Sequence, residues 1–276
     1  MNKIEVQNLT VSYGERNKRF TALDKVSFSV AAGQFVTIIG SSGCGKSTLL
    51  ATLGGLILPK AGIVEIDGIP VTGTGTNRAF VFQHYSLFPW MTVRKNVAFG
   101  IKQAMPGLKP GERLKRAAVF LEKVGLEHFT DAWPARLSGG MRQRAAIARA
   151  LAMDTEILLM DEPFGAVDAK NRAILQDLLL RLWEGDETDT GMVVPLESPL
   201  HKERKTVVLV THDIDEAILL SDRIIMLTNS PGRIFKEFTV SIPRPRCRAA
   251  LVLTHAYQEL RSELLALFFN DYGEGI

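Results

Sequence analysis

Gly40-Ser41-Ser42-Gly43-Cys44-Gly45-Lys46-Ser47 combines glycines, hydroxyls and one lysine at a spacing suited to holding a phosphate chain. Glycines let the backbone curl until successive N–H groups point at one anion. A helix beginning at the end of such a loop adds partial positive charge in the same place. Lys46 supplies a full charge for β- and γ-phosphates, and the Ser47 hydroxyl is a ligand for Mg²⁺. Thr48 opens the helical run Thr48–Leu53. Cys44 reads as a small filler in the loop, not as a ligand or nucleophile. The bland alternative is a Gly/Ser-rich surface turn. It does not explain why strand, spacing, lysine and serine all agree.

A second pair of chemical groups is Asp161-Glu162, which follows the apolar run Ile157–Met160. A carboxylate at the C-terminal end of a buried parallel strand lies in the crevice where such sheets bind ligands. Asp161 is placed to hold Mg²⁺, directly or through water. Glu162 is placed to polarise a water for in-line attack on a γ-phosphate.

These groups need a scaffold. The 276 residues suffice for one large core or two lobes. A net charge of +3 gives no support to a nucleic-acid footprint, which needs a basic patch or stripe. The two cysteines show no metal-ligand spacing, which fits a reducing cytosol. The N-terminus has no apolar signal core, and no stretch approaches the ~18 apolar residues of a membrane span. Work at a membrane would therefore need a partner to hold the chain there.

Phe35–Ile39 reads as the buried strand feeding the phosphate loop. Ile4–Tyr13, Leu23–Val30, Ile63–Asp67 and Ala79–Phe82 read as antiparallel strands before and after that unit. Asn96–Ala104, Glu112–Val124 and Gln143–Ala152 fit helices and form a block inserted between sheet elements. The sheet resumes at Ile157–Met160, Val207–Val210 and Arg223–Leu227, with helices at Ala169–Trp183 and Asp215–Leu220. Strands alternating with helices argue a parallel sheet with crossovers. Gly185–Lys205 is an unusually long connection. Ile242–Arg246 reads as an extended spacer before one closing amphipathic helix, Leu251–Phe269. No internal repeat is visible.

Leu137-Ser138-Gly139-Gly140-Met141-Arg142-Gln143-Arg144 resembles the signature motif of ABC ATPases. Gln83 resembles their Q-loop glutamine, Phe164–Asp168 their D-loop, His212 their switch histidine and Tyr13 their adenine-stacking aromatic, all in family order. Met141 departs from the commoner glutamine, and Gly185–Lys205 from the usual short turn. The resemblance implies an α/β fold of the P-loop NTPase type. It has a RecA-like parallel-sheet core, an antiparallel β subdomain and an inserted helical subdomain. The ATPase domain would cover residues 1–230, with the helical part at about 88–152, and residues 231–276 would be a C-terminal extension.

It also implies ATP and Mg²⁺ as cofactors and a head-to-tail homodimer. Each ATP would lie between Lys46 of one copy and Ser138-Gly139-Gly140 of the other. Gln83 would ligate Mg²⁺ and report nucleotide state to the helical lobe, and His212 would contact the γ-phosphate. Tyr13 and residues Gly40 to Thr48 would bind the nucleotide. The implied partners are transmembrane permease subunits and, indirectly, an extracytoplasmic solute-binding protein, at the cytoplasmic face of the membrane.

Phe88-Pro89-Trp90, Asn96–Gly100, Ser230–Ile234 and Ile242–Arg246 together resemble the nitrate/sulfonate/taurine importer subgroup, whose related members handle cyanate, bicarbonate or pyrimidine precursors. His84–Trp90 reads either as packing between lobes or as a groove for a permease helix. A soluble ABC ATPase working on nucleic acid or the ribosome is the competing class. It would be expected to carry a second ATPase half, coiled-coil arms or basic extensions. A generic P-loop kinase leaves Leu137–Met141 and His212 unexplained.

Overall fold

The computed structural model describes residues 2–14, 20–84, 86–184 and 204–270. The long connection 185–205 lies outside the described residues except for its last two. The chain divides into two units, Met1–Gly75 with Thr206–Ile276, and Thr76–Lys205.

In the first unit β1 (Asn2–Tyr13) pairs antiparallel with β2 (Phe20–Ala31), Glu5 opposite Ser29 and Val11 opposite Leu23. Ile4, Val6, Leu9 and Val11 of β1 are all buried, the inward half of a two-sided strand. β3 (Phe35–Ile39) starts a second sheet. The phosphate loop follows it and leads into α1 (Lys46–Leu53). β4 (Ala61–Ile66) covers the other edge of β1 and carries the two-residue β5 (Ile69–Pro70).

Every residue of β3 is buried, because the sheet is covered on both faces; this is why the run does not alternate, its one polar residue, Thr37, being buried too with its hydroxyl paired to that of Ser221. Each of its large side chains contributes about 1.5–3 kcal/mol on burial. Two later strands of the unit flank β3 in parallel, one from Thr206 to Val210 and one from Arg223 to Leu227.

The second unit holds β6 (Arg78–Val81), then α2 (Val93–Ala104), α3 (Pro110–Lys123) and α4 (Gly139–Ala152), then β7 (Ile157–Asp161) and α5 (Ala169–Glu184). Val97 and Ile101 of α2, Leu121 of α3 and Ala145 and Ala148 of α4 are fully buried in the three-helix block. The sequence groups Ala79–Phe82 with antiparallel strands, but β6 runs parallel to β7, Arg78 opposite Ile157 and Val81 opposite Met160. The reason is the connection: a crossover through three helices returns the chain in the same direction.

Back in the first unit, β8 (Thr206–Val210) leads through α6 (Ile214–Leu220) to β9 (Arg223–Leu227). β10 (Ile234–Thr239), which the sequence reading does not anticipate, pairs antiparallel with β9. The closing helix expected over Leu251–Phe269 begins later, as α8 (His255–Asn270), with a separate one-turn α7 (Arg248–Leu251) before it. Thr254 makes the break. Its hydroxyl donates to the Leu251 carbonyl at 2.8 Å, ending one helix, and accepts from the Tyr257 N–H at 3.3 Å, capping the next.

The spacer Ile242–Arg246 is a clamp on α6. Arg246 donates to the carbonyls of Ile218, Leu219 and Ser221 at 2.9, 3.2 and 2.6 Å, and Arg244 to that of Leu220 at 2.7 Å. At the other end of α6, Asp215 accepts from Tyr257 Oη at 2.7 Å and Arg261 Nε at 2.6 Å. Burial raises the Asp215 pKa, but the hydrogen bonds from Arg261 and Tyr257 and the charge of Arg261 outweigh it and leave it lowered. The Tyr257 phenol, buried and donating to that carboxylate, is pushed up to about 12.

Candidate nucleotide site

The first unit carries the phosphate loop. Gly43 and Gly45 sit at φ +81° and +102°, backbone open to glycine and costly for other residues. Gly45 is doubly constrained, since a Cβ there would fall 2.7 Å from Leu23 Cδ2 and 2.8 Å from the Ala22 carbonyl. Lys46 is 6% exposed, and its Nζ donates to the carbonyls of Gly40 at 2.8 Å and Ser41 at 2.7 Å. The ammonium thus closes the loop into a ring around its own charge. Ser42 and Ser47 are exposed on this loop, and Ser41 is partly so.

Cys44 is buried. Burial pushes its thiol above the ordinary value of 9.0, and the charge of Lys46 offsets this only in part. A thiol so placed is a poor nucleophile, in keeping with a filler.

Tyr13 ends β1, half-exposed, with its hydroxyl 3.1 Å from Thr48 Oγ1. The structure therefore brings Tyr13 to the first turn of α1. His212 is exposed just after β8. Its neighbours are fixed: Thr211 Oγ1 accepts from the Asp213 N–H at 3.1 Å, and Asp213 caps α6 by accepting from the Glu216 N–H at 3.0 Å.

The second unit carries the acids and the signature residues. Asp161 is the last residue of β7 and is buried; Glu162 follows at φ +43°. A non-glycine residue there is held by its surroundings. Gln83 Nε2 donates to Glu162 Oε2 at 3.2 Å, so the structure brings together two residues that the sequence could place only in order. Ser138 caps α4, accepting from the Met141 N–H at 3.3 Å, with Gly139 and Gly140 as the first helical residues. Asp168 accepts from both the side chain and the backbone of Asn171, which holds its pKa below the usual value.

Trp90 is 67% exposed, beside Phe88 at 5.5 Å between ring centres. One residue that the sequence names only as part of a motif shapes this turn. The buried Asn96 accepts from the Phe88 N–H at 2.7 Å and donates to the carbonyls of Phe88 and Met91, both at 3.1 Å. An asparagine one turn into a helix that follows an aromatic-proline turn is the signal.

A phosphate loop on a strand–helix turn, acids at the end of a parallel strand and a serine-capped glycine pair together define a nucleotide-binding cassette. The ABC transporter family model matches residues 23–165, and this chain belongs to that family, with the P-loop NTPase fold. Among its relatives, the bicarbonate transport ATP-binding protein CmpC of Synechococcus elongatus is 44% identical over 97% of this chain, which spans 38% of that protein. The nitrate import ATP-binding protein NrtD of Synechocystis sp. is 40% identical over 87% of this chain and 83% of its own length. The dimeric post-hydrolysis structure of the cassette MJ0796 bound to ADP and Pi superimposes with a TM-score of 0.74 at 35% identity, covering 87% of this chain and 100% of that one.

Proposed function

We propose that this chain hydrolyses ATP as the energy-coupling subunit of a membrane importer for a small solute of the nitrate, sulfonate or bicarbonate kind. The observation that carries the reading is the ring of Lys46 with the Gly40 and Ser41 carbonyls, at the start of α1, in a chain of the ABC family. Loop N–H groups and Lys46 would hold the phosphates. Ser138, Gly139 and Gly140 would meet the same nucleotide from a second copy, so that ATP joins two chains and hydrolysis releases them. The ADP- and Pi-bound dimer of MJ0796 supports that assembly. Tyr13 would stack on the base.

The donors Ser47 hydroxyl, Asp161 carboxylate and Gln83 amide are all oxygens, the hard set that Mg²⁺ prefers. When bound, Mg²⁺ would neutralise charge on the β- and γ-phosphates. Glu162 would take the proton of the attacking water, with the Gln83 amide orienting its carboxylate, and His212 would contact the γ-phosphate.

Among the described residues no helix is long and apolar enough to cross a membrane. Membrane attachment would come through permease subunits, with Trp90 and Phe88 as the contact surface, at the cytoplasmic face. A solute-binding protein would take part indirectly. The names of CmpC and NrtD support the solute class.

The test is Glu162→Gln. ATP binding and a nucleotide-held dimer should persist while turnover falls by roughly 10²–10⁴, the size of a general-base effect. Near-normal turnover, read with size-exclusion in ATP, removes Glu162 from that role. Copurification with a membrane protein supports the transport reading; copurification with ribosomes or nucleic acid rejects it.

A further inference from the structure

Ser230–Ile234 has no chemical role in the sequence, yet it packs behind the phosphate loop. Residues 228–233 close on themselves: the Thr228 N–H donates to the Arg233 carbonyl at 2.9 Å, and Thr228 Oγ1 accepts from the Arg233 N–H at 3.0 Å. This small loop is then stitched to β2. The Gly232 N–H donates to the Ala22 carbonyl at 2.9 Å, the Asp24 N–H donates to the Gly232 carbonyl at 3.0 Å, and Arg233 Nε donates to Asp24 at 2.9 Å.

From there it touches the phosphate loop twice. The Ser41 hydroxyl donates to Asn229 Oδ1. Gly232 lies so close that a Cβ would stand 2.1 Å from the Cys44 carbonyl oxygen. The next residue, Gly45, is pressed against Ala22 and Leu23, the same stretch of β2 that holds Gly232. The loop backbone at Cys44 and Gly45 is therefore held by two close glycine contacts that share one support, Ala22 and Leu23 of β2.

We propose that residues 228–233 are a brace that positions the phosphate loop, with Asn229 and Gly232 as its positioning residues. Asn229 fixes the Ser41 hydroxyl, and Gly232 fixes how far the Cys44 carbonyl can retreat. Peptide planes are rigid, so the Cys44 carbonyl sets the aim of the next N–H, that of Gly45. The inference rests on reading the loop as the cradle for ATP.

The experiment measures ATP affinity and melting temperature of full-length Asn229→Ala, Gly232→Ala, Ser41→Ala and the Ser41→Ala/Asn229→Ala double variant. Asn229→Ala should bind ATP roughly 2- to 10-fold more weakly, the scale of one hydrogen bond, at an unchanged melting temperature. The double variant should be no weaker than the weaker single one, because both remove the same contact. Gly232→Ala should lose roughly 10-fold or more, since the Cys44 carbonyl must move. Asn229→Ala adds no atoms to the core and decides alone if Gly232→Ala does not fold.

Unchanged affinity in Asn229→Ala, or additive losses in the double variant, overturns the brace. Lys46→Ala, run alongside, separates this from the underlying reading. If it binds ATP like the wild type, the cradle itself is wrong; if it loses ATP while Asn229→Ala retains it, the brace alone is wrong.

Discussion

Two helices begin at glycines that face phosphate in the proposed function, and they are built by opposite means. At α1 the first helical residue is a buried lysine, Gly45 is left-handed before it, and no side chain caps the end. At α4 the cap is an ordinary extended serine, and no charged residue stands in the first turn before Arg142. The Ser138 oxygen is used internally to accept from Met141, which leaves its O–H to donate to an anion. α1 is charged and enclosed; α4 is neutral and open. On the proposed function, the difference teaches that the α1 end would hold a triphosphate alone, whereas the α4 end would add only when something else has brought the anion to it. A neutral helix N-terminus contributes about 0.3–1 kcal/mol, too little to bind a nucleotide unaided.

The contrast is broken most directly at Lys46. Lys46→Ala should cost on the order of 10²-fold in ATP affinity of the single chain, the upper range for a charge-assisted hydrogen bond, as read by calorimetry. Retained affinity would make the two ends alike.

Ser138→Ala should leave the single chain's ATP affinity within about twofold while turnover of the assembled dimer falls roughly 10-fold. The lost cap should cost about 1 kcal/mol of stability. Weaker binding in the isolated chain would put Ser138 on the wrong side of the comparison.

The smallest effect sharpens the account of enclosure. The Cys44 thiol is raised above 9.0, so its reactive thiolate is scarce below that pH and grows only above it. Alkylation at pH 8 should modify exposed Cys247 at least ~10-fold faster than Cys44, measured by mass spectrometry. Equal rates would mean that the loop is open.

The sequence made much of this legible where one residue type has one physical use. Phe35–Ile39 and Thr206–Val210 are buried on both faces, so apolarity alone gives their bounds to within a residue. The phosphate loop is legible because its glycines, lysine and serine act on neighbours along the chain.

What escaped depends on partners far along the chain. β10 is Ile-Phe-Lys-Glu-Phe-Thr, with Phe238 its one buried residue. It is held by pairs such as Glu237 with Arg223 at 2.6 Å, and a charged strand of this kind has no apolar run to announce it. The same holds for Arg246, three of whose partners are carbonyls 25 to 28 residues earlier. Gln83 and Glu162 are 79 residues apart, and only the parallel pairing of β6 with β7 makes them neighbours.

The Arg246 clamp bears on how the chain can be cut. A guanidinium spread over the carbonyls of Ile218, Leu219, Ser221, Val240 and Ile242 takes the place of five water contacts at once. A version shortened before Arg244 would give those oxygens back to solvent at the base of the helix that carries Asp213 and follows His212. Trimming the tail for expression or crystallisation therefore reaches the support of the helix that follows His212, and a tag is better placed beyond Asn270 than in its stead.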